Sequence, residues 1–201
     1  MMRLRGLYAI TGQDLSQVEQ ALASRALCAL QYRDKSADGA RREREARMLA
    51  RLCRAHGVPF IINDDVELAL AVDAAGVHLG RDDGAIAAAR ARLPGRLIGA
   101  SCYDRLDLAE RAVAAGADYI AFGSVFASPT KPGAVRAPLA LFAQARALGV
   151  PLVAIGGITL HNAPQVLAAG ADCLAVISDL FDAPDVAARA RQYGRLFDEA
   201  E

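Results

Sequence analysis

The chain has 201 residues, of which 54% are hydrophobic, and its 23 basic residues balance 23 acidic ones to a formal net charge of +0. This length predicts one domain, residues 1–201, and the neutral charge argues against nucleic-acid or membrane-surface partners. No apolar run could span a bilayer or serve as a secretion signal, and four scattered cysteines indicate reduced thiols, so we expect a cytoplasmic protein.

Eight short apolar runs alternate with alanine-rich amphipathic stretches along the whole chain. Runs that are apolar almost throughout are typical of parallel strands covered on both faces. The predicted strands are Leu7–Thr11, Leu27–Arg33, Phe60–Asn63, Val77–Leu79, Leu97–Ser101, Tyr119–Phe122, Leu152–Ile155 and Leu174–Ile177. Helices are predicted between them, for example over Asp38–His56 and Asp104–Ala115. The second of these begins at an Asp suited to capping and stops at Gly116.

A repeated junction supports a repeating βα unit. Ala75-Gly76, Ala115-Gly116 and Ala169-Gly170 each place a glycine between a helical stretch and a buried strand. Eight such units of roughly 25 residues each predict an α/β fold, a single-domain (β/α)8 TIM barrel. A doubly wound open sheet is the alternative. Against it, no G-x-G-x-x-G motif opens the first helix, and polar residues follow most strands instead of one switch point.

Polar residues follow nearly every predicted strand, at the end where a barrel of this kind builds its active site. Along strand two the residues alternate, so Gln31, Arg33 and Lys35 project to one side. Arg and Lys directed into a barrel mouth would bind a phosphate, although solvated charges at a strand end explain this motif equally well. The other candidates are Asn63, Asp64, Asp82, Asp83, Ser101, Ser128, Pro129, Thr130, Lys131, Gly156, Gly157, Ile177 and Ser178.

Two carboxylates on consecutive loops, Asp64 and Asp83, predict a Mg2+ site. Mg2+ is commonly held by one or two carboxylates together with substrate phosphates and waters. The alternative for each Asp is a helix N-cap, and for Asp64 or Asp65 taken alone that alternative is the better one. His78 lies within a buried strand and is interpreted as a hydrogen-bonded core residue instead of a catalyst.

A second anion site is predicted near the end of the barrel. The segment 126–133 carries two hydroxyls, a lysine and a glycine, and is typical of a flap over an anionic ligand. Gly156-Gly157 and Ile177-Ser178 match the phosphate site that many barrels form after strands seven and eight. Two anion regions predict two phosphorylated substrates, or one diphosphate and one monophosphate.

Together these motifs resemble the thiamine-phosphate synthase (thiamine-phosphate pyrophosphorylase) family, from Leu7 to about Leu180. The resemblance implies a Mg2+-dependent transferase of thiamine biosynthesis that joins hydroxymethylpyrimidine diphosphate to a thiazole phosphate. The sequence departs from the family pattern at Arg81-Asp82, where Gln-Glu is common, and at Cys102-Tyr103, where a His is frequent. The segments that carry the resemblance are Leu7–Thr11, Gln31–Lys35, Ile61–Asp64, Gly76–Gly80, Ser128–Lys131 and Ala154–Ile158.

The resemblance also implies a role for each site residue. Asp64 and Asp83 would hold Mg2+, and Lys131, Ser101 and Arg33 would be catalytic. The pyrimidine diphosphate would be bound by Gln31, Tyr32, Arg33, Asp34, Lys35, Asn63, Ser101 and Lys131. The thiazole phosphate would be bound by Ser128, Pro129, Thr130, Gly157, Ile177 and Ser178. A homodimer is compatible with the sequence.

Two other functions fit the same barrel. The related thiazole tautomerase is a metal-independent isomerase, which typically lacks the basic motif and the Asn-Asp pair and tends to carry His in place of the serine. Asn63-Asp64, Ser101 and Thr130-Lys131 are all present here, so the synthase is favoured. A non-catalytic sensor of a phosphorylated ligand would not need two carboxylates spaced for Mg2+. The fold alone does not separate these functions.

Overall fold

The computed structural model describes residues 4–12, 14–36, 38–80, 86–127 and 135–198. Eight strands and nine α-helices are formed by these residues, together with a 3-10 helix over Arg146–Leu148. The strands are β1 (Gly6–Ile10), β2 (Leu27–Tyr32), β3 (Phe60–Asn63), β4 (Gly76–Leu79), β5 (Leu97–Tyr103), β6 (Tyr119–Phe122), β7 (Leu152–Ile155) and β8 (Cys173–Val176). The helices are α1 (Val18–Ala23), α2 (Gly39–His56), α3 (Val66–Ala71), α4 (Ile86–Arg92), α5 (Leu106–Ala114), α6 (Ala140–Ala145), α7 (Ala163–Ala168), α8 (Ser178–Phe181) and α9 (Val186–Asp198).

The eight strands form one closed parallel barrel. Each strand pairs with the next in chain order, and β8 pairs with β1 through partners such as Cys173 and Gly6. This closure confirms the predicted (β/α)8 barrel and excludes the doubly wound open sheet, which would leave two strand edges unpaired. Across the described segments, no helix is both long and apolar enough to cross a membrane.

Helix ends show where local signals held and where they failed. The helix predicted over Asp38–His56 is confirmed: α2 is capped by Asp38, whose carboxylate accepts from the Arg41 amide at 2.9 Å, and it ends at Gly57, which has φ +69°. The predicted cap at Asp104 is wrong. Strand β5 continues to Tyr103, two residues beyond its predicted end, and α5 begins only at Leu106. The residues between them form a tight turn, in which the Arg105 amide donates to the Cys102 carbonyl at 2.9 Å.

The core has two layers, which follow from the alternation of side chains along each strand. Leu30 and Ile62 belong to the layer between strands and helices, whereas their neighbours Ala29 and Ile61 fill the barrel interior. Both layers are buried, which explains why the strand sequences are apolar on both faces. The same alternation separates the neighbouring residues at the end of β2, as described below.

The cysteines are free thiols, as predicted. Cys53 and Cys102 are buried among apolar side chains, and burial raises the pKa of each thiol to about 12. Both therefore stay protonated and are poor nucleophiles. Cys28 and Cys173 lie with their sulfur atoms 3.8 Å apart. Their Sγ–Sγ separation is a contact between thiols and not a disulfide bond.

Gly99 is expected to be a strict requirement of the barrel interior. A Cβ atom at this position would lie 2.0 Å from Cζ of the fully buried Tyr119 ring. Gly99→Ala is therefore expected to lower the free energy of unfolding by about 1–3 kcal/mol through overpacking, measured by urea denaturation. Gly39→Ala is the control, since nothing lies within 4 Å of a Cβ there. Equal stability of the two variants would contradict this interpretation.

Candidate active site

A cavity of about 1170 Å³ opens where the strands end and the loops that follow them begin. It brings together predicted residues from five strands or their following loops, which is the convergence that a barrel active site requires. Its lining also includes residues that were not predicted, among them Tyr8 and Tyr119. The predicted site residues that line it are Gln31, Arg33, Lys35, Asn63, Asp64, Ser101, Gly157, Ile177 and Ser178.

Some predicted site residues lie outside the described residues. They belong to the segments 81–85 and 128–134, which follow β4 and β6. They include one of the two predicted metal ligands and the predicted catalytic lysine. The residues are Asp83, Ser128, Pro129, Thr130 and Lys131, together with Arg81 and Asp82 of the family comparison.

Alternation at the end of β2 divides the segment 31–35 into two sets. Gln31, Arg33 and Lys35 line the cavity. Tyr32 and Asp34 are turned to the other face, toward α2. The Tyr32 hydroxyl donates to Glu45 at 2.6 Å, and Asp34 accepts from the Arg41 guanidinium at 2.6 Å. The structure therefore does not bring the side chains of Tyr32 and Asp34 to the cavity, although the resemblance implied contact for the whole segment.

Two adjacent aspartates at the end of β3 have different environments. Asp65 caps α3, because its carboxylate accepts from the Leu68 amide at 2.9 Å. Asp64 lines the cavity, and its backbone has φ 64°, a conformation that non-glycine residues adopt rarely and mostly at turns or functional sites. The Asn63 side-chain amide donates from Nδ2 to the Asp64 carboxylate at 2.6 Å. The helix-cap explanation therefore applies to Asp65, and Asp64 is left as the ligand candidate.

Asp64 is also the part of the predicted metal site that can be tested against the described residues. Within them, no cluster of three or more His, Cys, Asp or Glu side chains could hold a metal by itself. A single carboxylate such as Asp64 is compatible with Mg2+, which takes one or two carboxylates and completes its shell with phosphate oxygens and waters. A carboxylate oriented by the Asn63 amide and directed into a cavity with Arg33 and Lys35 is consistent with a metal-diphosphate ligand.

A buried chain of hydrogen bonds crosses the barrel interior, and we call it the tyrosine chain. Gln31 Nε2 donates to the Tyr8 hydroxyl at 3.1 Å, and the hydroxyls of Tyr8 and Tyr119 are 2.9 Å apart. His78 Nδ1 lies 3.2 Å from the Tyr119 hydroxyl, and its Nε2 lies 2.9 Å from Ser101 Oγ. All five side chains line the cavity. His78 is only 8% exposed, so the prediction of a hydrogen-bonded core histidine is confirmed.

The two tyrosines of this chain were missed by the sequence reasoning. Each tyrosine contributes one hydroxyl to an otherwise apolar strand, Gly6–Ile10 or Tyr119–Phe122. Neither lies at the carboxyl end of its strand, where candidates were sought. The available signal was that a buried Tyr hydroxyl usually needs a hydrogen-bond partner. Combined with the alternation that points Tyr8 and Gln31 inward, this signal could have indicated the contact.

The glycine pair after β7 is packed against the loop that follows β6. A Cβ at Gly157 would lie 2.3 Å from the Ala127 carbonyl oxygen, and one at Gly156 would lie 2.2 Å from Ser124 Oγ. The Phe126 amide also donates to the Gly156 carbonyl at 3.0 Å. The sequence predicts a phosphate site at these glycines. In the structure they have a further cause, which is the tight contact between two loops.

Helix α8, which begins at Ser178, is held by α9. The Asp179 carboxylate accepts from the Arg189 guanidinium at 2.7 Å and from the Tyr193 hydroxyl at 2.7 Å. Arg189 also donates to the Asp179 carbonyl oxygen at 3.0 Å. Asp179 and Arg189 both line the cavity, and neither was predicted. They anchor the start of α8, where Ile177 and Ser178 were predicted to bind the thiazole phosphate.

Comparison with known sequences assigns this barrel to a family, because the profile of thiamine monophosphate synthases matches residues 7–180. The chain belongs to this family. It is 59% identical over 204 residues to a thiamine-phosphate synthase of Aromatoleum aromaticum, covering 98% of each chain. It is 61% identical over 201 residues to a thiamine-phosphate synthase of Chromobacterium violaceum, covering 97% of each chain.

A solved structure of the family has the same architecture. The thiamine phosphate pyrophosphorylase of Pyrococcus furiosus superposes on this chain with a TM-score of 0.88, at 34% identity and with 98% of each chain covered. As a thiamine-phosphate synthase by family and by these relatives, the chain is an enzyme, a transferase of thiamine biosynthesis. The resemblance inferred from the sequence is therefore confirmed. The tautomerase alternative is not favoured, because the similar relatives are synthases.

Proposed function

We propose that the chain condenses hydroxymethylpyrimidine diphosphate with a thiazole phosphate, giving thiamine phosphate and diphosphate. The observation that carries this proposal is the content of the cavity. On one side it is lined by Arg33 and Lys35, which follow β2, and by Asp64, which follows β3. On the other side it is lined by Gly157, which follows β7, and by Ser178, which begins α8 after β8. These two groups of residues suit a diphosphate with its metal and a monophosphate, respectively.

The reaction needs help chiefly at the leaving group. Diphosphate departs with both electrons of its bond to the pyrimidine methylene carbon, and the thiazole nitrogen then supplies the electron pair for the new carbon–nitrogen bond. Negative charge grows on the departing oxygen, so fixed positive charge in a sheltered site lowers the barrier. Arg33, Lys35 and Lys131 are proposed to bind the diphosphate, and Ser101, Asn63 and Gln31 to hold the pyrimidine portion.

We propose that Asp64 and Asp83 hold the Mg2+ that accompanies the diphosphate. When bound, this ion neutralises charge on the leaving group as a Lewis acid. Asn63 donates to the Asp64 carboxylate at 2.6 Å, which fixes the orientation of that carboxylate without neutralising it. Among the described residues, Asp64 supports this role by its position in the cavity.

The remaining members of the segment 31–35 are proposed to act indirectly. Tyr32 and Asp34 join the end of β2 to α2 through Glu45 and Arg41. These contacts hold the strand end, so that Arg33 and Lys35 keep their direction toward the diphosphate. For the thiazole phosphate, we propose contacts from Gly157, Ile177 and Ser178, and from Ser128, Pro129 and Thr130 of the loop after β6.

Lys131→Ala is expected to lower kcat more than it changes the affinity for the pyrimidine diphosphate. A cation that meets charge developing during departure of diphosphate contributes mainly in the transition state, so its loss reduces the rate. Steady-state kinetics with varied pyrimidine diphosphate measures both parameters. A normal kcat with a raised KM would instead assign Lys131 to simple binding of the ground state.

Incubation with both substrates and Mg2+, followed by mass spectrometry, tests the proposed function directly. Thiamine phosphate should form, and diphosphate should be released in equal amount. A parallel reaction with the carboxylated and the plain thiazole phosphate reveals which form is accepted. Conversion of one thiazole tautomer to another without metal, and without any thiamine phosphate, would replace the proposal with the isomerase activity.

The cytoplasmic location and the homodimer stay predictions from the sequence.

A further inference from the structure

The tyrosine chain joins two residues that are proposed to contact the pyrimidine diphosphate. Gln31 stands at one end, on β2, and Ser101 at the other, on β5. The links between them come from β1, β6 and β4, so the chain spans much of the barrel interior. Tyr8 is 1% exposed and Tyr119 is fully buried, with its ring against Gly99. Bulk water therefore does not compete for their hydroxyls.

Counting protons gives this chain a direction. Burial raises the pKa of Tyr8 and of Tyr119, so each phenol keeps its single proton. Gln31 Nε2 donates to the Tyr8 oxygen. Within the described residues, the other partner of the Tyr8 hydroxyl is Tyr119, 2.9 Å away, and we assign the Tyr8 proton to this contact. Because Tyr119 accepts this proton, its own proton is available for His78 Nδ1 at 3.2 Å.

The positions of the His78 and Ser101 protons follow from this order. An imidazole that accepts at Nδ1 carries its proton on Nε2, and in that tautomer His78 would donate to Ser101 Oγ, 2.9 Å away. Ser101 Oγ then accepts from His78, so its own hydroxyl proton is free to point away from His78. Since Ser101 lines the cavity, that proton is available to a ligand. The opposite direction, with Ser101 donating to His78, would present only lone pairs to the ligand.

We propose that Tyr8 and Tyr119 are positioning residues that transmit the orientation of the Gln31 amide to Ser101. They make the Ser101 hydroxyl a hydrogen-bond donor, which suits the acceptor nitrogen of a heteroaromatic ring such as a pyrimidine. The identity of this ligand rests on the proposed function, whereas the direction of the chain does not.

Nitrogen-15 NMR of histidine-labelled protein reads the protonated nitrogen of His78 without any substrate. The chain has three histidines, so His56→Gln and His161→Gln assign the remaining signal to His78. The expected result is a neutral ring with the proton on Nε2. A proton on Nδ1, or on both nitrogens, would overturn the proposal, because the chain would then run in the opposite direction or be broken at His78.

Tyr119→Phe tests the transmission while keeping the ring. We expect the His78 nitrogen shifts to change and kcat/KM for the pyrimidine diphosphate to fall about tenfold, with KM for the thiazole phosphate unchanged. Tyr193→Phe is the control for the NMR, since it removes another buried hydroxyl, one bonded to Asp179 and outside the chain. Unchanged His78 shifts in Tyr119→Phe would refute transmission. If wild-type protein forms no thiamine phosphate, the proposed function fails while the NMR result still stands.

Discussion

Asp64→Asn is expected to lower kcat/KM by a factor on the order of a hundred to a thousand, because one charged ligand of the proposed Mg2+ is lost where leaving-group charge develops. The fold should survive the change. Asn is among the non-glycine residues that tolerate a positive φ such as the 64° found at this position, so the free energy of unfolding should change little. Steady-state kinetics and urea denaturation measure the two quantities separately.

Asp65→Asn is the matched control for this variant. It makes the same chemical change one residue later, at a side chain that caps α3 and pairs with Arg42. Asn is also a good helix cap, and a partly exposed ion pair contributes little, so activity and stability should stay near those of the wild type. EDTA should abolish turnover of the wild type, and added Mg2+ should restore it. Full activity in EDTA, or equal losses in the two variants, would exclude the metal site.

Arg33→Ala and Gly157→Ala are expected to weaken the binding of different substrates. Arg33→Ala should weaken binding of the pyrimidine diphosphate by about 1.5–3 kcal/mol, the contribution of a charge-assisted hydrogen bond. The strand end should persist, because the backbone amide of residue 33 still donates to Thr11 Oγ1, 3.0 Å away in the wild type. Binding of the thiazole phosphate should stay near normal. Calorimetry of each ligand, with Mg2+ present, measures both affinities.

Gly157→Ala should give the reverse pattern. The new Cβ would lie 2.3 Å from the Ala127 carbonyl oxygen, and the alanine would have to adopt φ +63°. The loops after β6 and β7 are therefore expected to separate, which should weaken binding of the thiazole phosphate more than binding of the pyrimidine diphosphate. Gly149→Ala separates strain from crowding, since it has φ +71° but nothing within 4 Å of a Cβ. Equal weakening of both ligands by Arg33→Ala and Gly157→Ala would contradict two separate anion sites.

The sequence by itself predicted the barrel and much of the cavity, because both follow from local patterns. Apolar runs that alternate with amphipathic stretches indicate buried parallel strands, and strand periodicity directs Gln31, Arg33 and Lys35 to one side. Parallel strands deliver their last residues to the same rim, so the positions of Asn63 and Ser101 could be predicted without coordinates. The start of α5 could not, since the competing continuation of β5 depends on pairing with β6.

The sequence named Asp64 as the ligand candidate, and only the tertiary structure showed why Asp64 and not Asp65 lines the cavity. Both are suitable helix caps, and the choice depends on the positive φ of Asp64 and on its amide donating to the His78 carbonyl of the neighbouring strand at 2.8 Å. The pairing of Tyr8 with Tyr119 was likewise decided by the tertiary structure, because the two residues are 111 positions apart. Hydrogen bonds between such distant residues arise from barrel closure, and no local pattern of polarity encodes them.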